Sequence, residues 1–247
     1  MRRVLRNSST PERIICCHAA RRALSIGSAF LDEPPLVGAD YFPRSWAPPQ
    51  SVTLDIDDTV DVEHGHEQLS LFNAHYDERC FLLIHMNDTA TGRPVAVILR
   101  PGKTPAGREI RGHVRRLVRR IRARWPKTRI LIRGDGHYGR PEVMDWCEDN
   151  HVDYVFGQPG NRVLDRLVDA AADDIRTRRA LDQKPALRGF AKTRFQAKSW
   201  RIERRGCARI ELTTLGLDIR FVVTNLTQGS AERIYEMIYC AAARQRT

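Results

Sequence analysis

The chain has 247 residues, enough for one large domain or two small ones, and 42% of them are hydrophobic, an ordinary share for a globular protein. No stretch approaches the roughly 18 consecutive apolar residues of a helical membrane span, so no membrane partner is expected. Forty-one Lys and Arg against 30 Asp and Glu leave a formal charge of +11, with Arg in the majority. That makes nucleic acid the first partner to consider, because guanidinium groups meet phosphates in planar, two-pronged contacts.

From Met1 to about Gln50 the text has no steady period, contains five prolines between Pro34 and Pro49, and offers one short helix-like piece at Ile14 to Leu24. Residues 1–50 therefore read as a weakly patterned, disordered segment, and 51–247 as the main domain. At Ser51 the character changes. Val52, Leu54 and Ile56 alternate with Thr53, Asp55 and Asp57, the period-two pattern of a strand with one apolar face, and two carboxylates share the other face.

Strands are expected next at Cys80 to Met86 and Arg93 to Leu99, with turn residues Asp88, Thr91 and Gly92 between them, which makes an antiparallel meander. A helix follows from Ala106 to Arg124, with Ile110, Val114, Leu117, Val118 and Ile121 on one face and Arg111, Arg115, Arg119 and Arg122 on the other. Ile130 to Ile132 is a short buried strand that ends in Arg133-Gly134-Asp135-Gly136, and Pro141 opens another helix. With a strand at Val152 to Phe156, the order implies an α/β fold whose mixed sheet turns partly parallel after the meander.

A polar helix is expected from Arg162 to Leu181. A β-rich segment from about Arg188 to Asn225 comes next, with strands near Phe190 to Trp200, Ala208 to Thr214 and Ile219 to Thr224. Ser230 caps a last helix with Ile234, Met237 and Ile238 on its apolar face. The six cysteines, Cys16, Cys17, Cys80, Cys147, Cys207 and Cys240, show no CxxC pair and no matching His spacing, so neither zinc nor a disulfide framework is expected.

The densest chemical signal is Leu54-Asp55-Ile56-Asp57-Asp58-Thr59, a strand running into clustered carboxylates, which repel one another unless a cation holds them. Magnesium or manganese is the expected cofactor. The hexapeptide resembles the first motif of haloacid dehalogenase-type phosphatases, in which Asp55 would be the nucleophile and Asp57 the general acid. That family also needs a later Gly-Asp followed by another acid, and Gly136 to Arg140 contains none.

A second resemblance covers about Ser51 to Cys240. His64-Gly65-His66-Glu67-Gln68-Leu69-Ser70-Leu71-Phe72-Asn73, Leu99-Arg100-Pro101-Gly102, Trp125-Pro126, Arg133 to Gly139 and Asp153-Tyr154-Val155-Phe156-Gly157 resemble, in order, the group 1 DDE transposase domain of bacterial insertion sequences. The resemblance implies a ribonuclease-H-like mixed sheet with flanking helices and a β-rich insertion. It also implies a DNA transposase that hydrolyses phosphodiesters and transfers strands. Its substrates would be terminal inverted repeats and target DNA, its working form a homodimer, and its setting the bacterial cytoplasm and nucleoid.

In that scheme Asp57 and Asp135 are the catalytic, metal-holding acids, with Asp55 the alternative first acid and Asp58 a further candidate. Arg100, Lys103, Arg133, Lys198 and Arg201 are candidate DNA contacts, the last two beside Trp200, because cations next to aromatics suit phosphates and bases. His64 and His66 read as backbone or DNA contacts, and His137, close behind Asp135, as loop packing, with a place at the site mouth, handling a proton or phosphate, as the alternative. The family signature of Tyr, two residues, Arg, three residues and the catalytic Glu opens at Tyr239, but position 242 is Ala and position 246 is Arg. The third acid is thus expected to be missing. A copy truncated or out of frame before about Ser45 and after about Ala241 is expected, with a catalytically dead DNA-binding remnant as the alternative reading.

Overall fold

The structure is a computed structural model that describes residues 49–65 and 70–241. The expected helix-like piece at Ile14 to Leu24 and most of the segment 1–50 lie outside the described residues. So do His66 to Leu69 of the quoted motif and positions 242 and 246 of the helical signature.

β1 spans Ser51–Val62 and buries Leu54 and Ile56, as their alternation requires. β3, Glu78–Asp88, runs antiparallel to it with Asp57 opposite His85. β4, Pro94–Ile98, returns along β3. A short strand the alternation did not suggest, β2 at Leu71–Asn73, pairs with the start of β3. α1, Gly107–Arg124, then leads to β5, Arg129–Gly134, which lies parallel to β1. α2, Pro141–Asp149, leads to β6, Asp153–Gln158, parallel to β5. The five strands in the order β4-β3-β1-β5-β6, a meander with two parallel strands added, are the ribonuclease-H-like arrangement.

The expected single helix at Arg162 to Leu181 is two helices, α3 at Arg162–Leu167 and α4 at Asp169–Asp182, broken at Val168. Asn161 caps the first by accepting from the amides of Val163 and Leu164 at 2.9 and 3.0 Å. The β-rich segment is a meander of β7 (Leu187–Phe195), β8 (Arg204–Thr213) and β9 (Gly216–Thr224). β9 pairs antiparallel with β6, so the insertion extends the central sheet to nine strands.

β7 stops five residues short of Trp200, because the chain turns at Ala197 to Trp200 and folds the indole inward. The ring packs edge-on against Phe195, and the Arg204 guanidinium sits 5.1 Å from its centroid. Arg204 is itself buried and bound to Asp145 and Glu148 of α2. Trp200 and Arg204 therefore join the insertion to the core.

The apolar stripe of α1 and the buried residues of α2 cover one face of the sheet, meeting Leu54, Ile56, Ile84, Ile130, Ile132, Tyr154 and Phe156. α4 continues that layer over Ala208 and Ile210. The opposite face, with Val155, Cys207 and Val222, is covered by the terminal helix, Arg233–Tyr239, through Ile234 and Tyr235. Ser230 caps this helix by accepting from the Arg233 amide at 3.0 Å. Its winding is wider than expected: the Cys240 amide reaches the Tyr235 carbonyl, five residues back, at 2.8 Å. Among the described residues no helix is long and apolar enough to cross a membrane.

Candidate active site

β1 outruns β5. Their last paired residues are Ile56 and Gly134, so Asp57 and Asp58 continue past the point where β5 turns off through Asp135. Gly134 permits the approach, since a Cβ there would lie 2.7 Å from the Ile56 side chain. Strand alternation puts Asp55 and Asp57 on the face of the terminal helix and Asp58, like Leu54 and Ile56, on the face of α1 and α2.

The three acids on β1 meet different surroundings. Asp55 accepts two bonds from Arg133, at 2.6 and 2.8 Å, and both residues are buried. Arg133 also donates to the Ile238 carbonyl at 2.5 Å and to Thr89 Oγ1 at 3.0 Å. The pair thus occupies the alternative first acid, which is also the nucleophile of the phosphatase resemblance, together with one of the expected DNA contacts. Neither side chain faces solvent.

Asp58 accepts from the Tyr138 hydroxyl at 3.2 Å. His137 Nδ1 lies 3.9 Å from Asp58 Oδ2 and 3.6 Å from Asp135 Oδ2, so one imidazole stands between the two carboxylates. Of the two readings of His137, the exposed imidazole takes the one at the mouth of the site. Asp135 Oδ1 accepts from the His137 amide at 2.8 Å, a local turn that fixes the carboxylate just beyond its strand. Burial pushes the Asp58 carboxyl above its ordinary range, the Tyr138 bond opposes this, and the charges of Asp135 and Asp57 add to it.

Tyr138 is fully buried, and its phenol is pushed up first by burial, then by Asp58, Asp135 and Asp57. Tyr76, exposed on the loop between β2 and β3, is raised by burial and then by Asp58, with Asp135 contributing. Across from Asp57, buried His85 is pushed down by burial against the pull of Asp57, and its Nε2 meets no partner. Three like charges at one strand end, with one imidazole among them, fit a divalent cation by the chemistry of their donors. Among the described residues, however, no set of three His, Cys, Asp or Glu side chains closes to metal-ligand geometry.

The terminal helix ends at this site. A Cβ on Gly157 would lie 2.8 Å from the Tyr239 hydroxyl and 2.9 Å from the Gly136 amide, so the tyrosine rests against the Asp135–Gly136 turn. Glu236, one turn earlier, is drawn outward to Arg188 of β7 at 2.9 Å.

The remaining basic residues divide. Arg100 is buried and binds both Glu109 oxygens at 2.8 and 3.1 Å, fastening the end of the meander to the first turn of α1. Arg201 is exposed but paired with Asp149 at 2.8 Å. Lys103 and Lys198 are exposed.

Residues 28–246 match the family described as Transposase DDE domain group 1. This chain belongs to that family. The match takes in 28–45 and 242–246, stretches the sequence had suggested were out of frame. Among solved structures, this transposase-family chain is similar to a piggyBac transposase in a synaptic complex with hairpin DNA, at 9% identity and a TM-score of 0.49. The similarity covers 81% of this chain and 40% of the piggyBac chain. No curated protein matches the sequence.

Tyr138 and Tyr76 are the site residues that the sequence did not single out, whereas Tyr239 opens the helical signature. Tyr138 could have been found from its place three residues after Asp135, inside the quoted motif. Tyr76 approaches from the loop between β2 and β3, and no local pattern marks it.

Proposed function

We propose that this chain is the catalytic domain of an insertion-sequence DNA transposase, with Asp57 and Asp135 as the acids that hold a divalent cation and Asp58 beside them. The observation that carries this reading is that Asp57 and Asp58 run past the end of β5, where the His137 imidazole stands between Asp58 and Asp135 and the charges of Asp57 and Asp135 both act on Asp58. A cation bound there would polarise a phosphodiester oxygen and activate a water or 3′-hydroxyl, as oxygen-ligated magnesium or manganese does.

The chain's own groups would do the rest. Asp135 is pre-set by its bond from the His137 amide. Tyr138 orients Asp58, and the exposed His137 imidazole can hand a proton between solvent and the carboxylates. A third acid would be needed beside Asp57 and Asp135, and the family signature that opens at Tyr239 would supply it. Position 246, where that signature has its glutamate, is Arg in this sequence. This copy should therefore bind DNA and not cut it.

The test is a nicking assay on supercoiled plasmid with magnesium or manganese, run beside a gel-shift assay without metal. Binding that weakens steeply with salt, and no nicking, are expected. Ala242→Arg with Arg246→Glu, in a helix continued beyond them, should be necessary for cleavage. Metal-dependent cleavage by the unmodified chain, abolished in Asp135→Asn, would show that another acid completes the site. Loss of DNA binding altogether would remove the transposase reading.

A further inference from the structure

α1 carries eight Arg and one Glu in 18 residues, a net charge of seven out of the chain's +11. Its buried stripe is accounted for by the core, but the outer stripe is not. Arg108, Arg111, Arg115 and Arg119 recur at intervals of three and four residues on one face, and all are exposed. None of them has a hydrogen bond or ion pair among the described residues, whereas Arg116 is turned to His113 and Arg122 to the His151 carbonyl. Like charges at i and i+4 weaken a helix, so Arg111–Arg115 and Arg115–Arg119 act against the fold they sit on. A local rule broken without compensation inside the chain points to a partner outside it.

The stripe also has a direction. Gly107, the first residue of α1, packs against Arg140 and Glu142, where a larger side chain would collide with Glu142. Arg140 in turn donates to the His137 carbonyl at 2.9 Å. One end of the stripe therefore lies a single loop away from Asp58 and Asp135.

We propose that this face of α1 is a docking track for the backbone of double-stranded DNA, one that leads a duplex past the carboxylate site regardless of base sequence. The inference rests on the transposase reading of that site and adds to it the surface that holds the flanking duplex. At about 1.5 Å per residue the four arginines span about 17 Å. A duplex of that length presents about ten phosphate charges. Guanidinium groups on one stiff rod suit such a linear polyanion, since each can grip two phosphate oxygens.

The test uses the full chain, a random-sequence duplex without element ends, and no divalent metal. The triple variant Arg111→Gln/Arg115→Gln/Arg119→Gln keeps residues of good helix propensity. Its plot of log affinity against log salt should be shallower by about 0.9 for each phosphate that is no longer neutralised. Affinity at low salt should fall at least tenfold. A control variant with the same charge removed elsewhere, Arg162→Gln/Arg166→Gln/Lys192→Gln, should keep the wild-type slope.

In the unaltered protein, duplex DNA should protect Arg111, Arg115 and Arg119 from phenylglyoxal modification, a readout that needs no variant to fold. Equal slopes in the two variants, or unchanged modification, would overturn the track while leaving DNA binding intact. Failure of the wild-type chain to bind any duplex would instead sink the transposase reading. Loss of binding to vesicles of anionic lipid in the α1 variant, with duplex affinity unaltered, would assign the face to a membrane and refute the proposal.

Discussion

Replacing Arg133 by Met is expected to be among the most damaging single changes in the protein. The guanidinium is 4% exposed and satisfies both oxygens of Asp55, while reaching the Ile238 carbonyl and Thr89. Met fills most of its volume, so the loss is electrostatic: a buried carboxylate is left without its partner, at a cost of about 3–5 kcal/mol. For a chain of this size each kcal/mol moves the melting temperature by about 2–4 °C, so a drop of roughly 6–20 °C is expected.

The companion variant Asp55→Leu/Arg133→Met removes both charges and should recover most of the loss, because two well-packed apolar groups avoid the desolvation that the ion pair must overcome. Urea unfolding at neutral pH, followed by circular dichroism, measures both. A single variant that costs under about 1 kcal/mol, or a double variant no better than the single, would refute the idea that Arg133 neutralises a buried Asp55.

Asp58→Asn should raise the melting temperature of the metal-free protein at pH 7. The folded-state carboxyl is raised above its unfolded value, so its ionisation costs stability once the pH passes that raised value, and the cost vanishes below the ordinary carboxylate range. The gain should therefore shrink as a thermal scan moves to pH 3, and an equal effect at both pH values would contradict it. Magnesium or manganese should raise the melting temperature by about 5–11 °C through binding to the folded state, about 2.7 kcal/mol at a hundredfold excess over Kd. Asp57→Asn and Asp135→Asn should each abolish the shift, and an unchanged response in both would remove the assignment. Gly157→Ala puts a methyl group 2.8 Å from the Tyr239 hydroxyl and 2.9 Å from the Gly136 amide, which should cost about 1–3 kcal/mol in chemical denaturation. A neutral effect would mean the Asp135 turn and the terminal helix give way freely.

The frame of the sheet could be read from the text because its signals are local. Leu54 and Ile56 alternate, Ile110 to Ile121 recur at helical spacing, and Pro141 opens α2, so element types followed from periodicity alone. The break at Val168 and the wide turn of the terminal helix depend on packing, and no pattern announces them. At the site, the family resemblance pointed to Asp57 and Asp135, but spacing could not say which neighbour each β1 carboxylate would meet. Asp55 looked equivalent to Asp57 because both share one strand face. What separates them is Arg133, directly across on β5 and 78 positions away in sequence. Arg100 misled for the same reason: an arginine beside a Pro-Gly turn looks exposed until its partner, Glu109, is known. The α1 stripe, which could have been an ordinary solvated surface, stands out only once its arginines are seen to lack partners.

The continuity of the sheet has a mechanical consequence. Because β9 is hydrogen-bonded to β6 from Val155 to Gln158, the insertion is not a separate body on a flexible stalk but a stiff lever joined to the strands that carry the carboxylates. Its outer tip is the turn at Leu215, almost wholly bare to solvent, and at its inner end Val222 pairs with Gly157, which lies against the loop that carries Asp135. A force applied at that tip would travel along β9, through the backbone bonds to β6, and arrive as a displacement of the aspartate. Whatever grips the outer hairpin therefore has a rigid handle on the position of the acid.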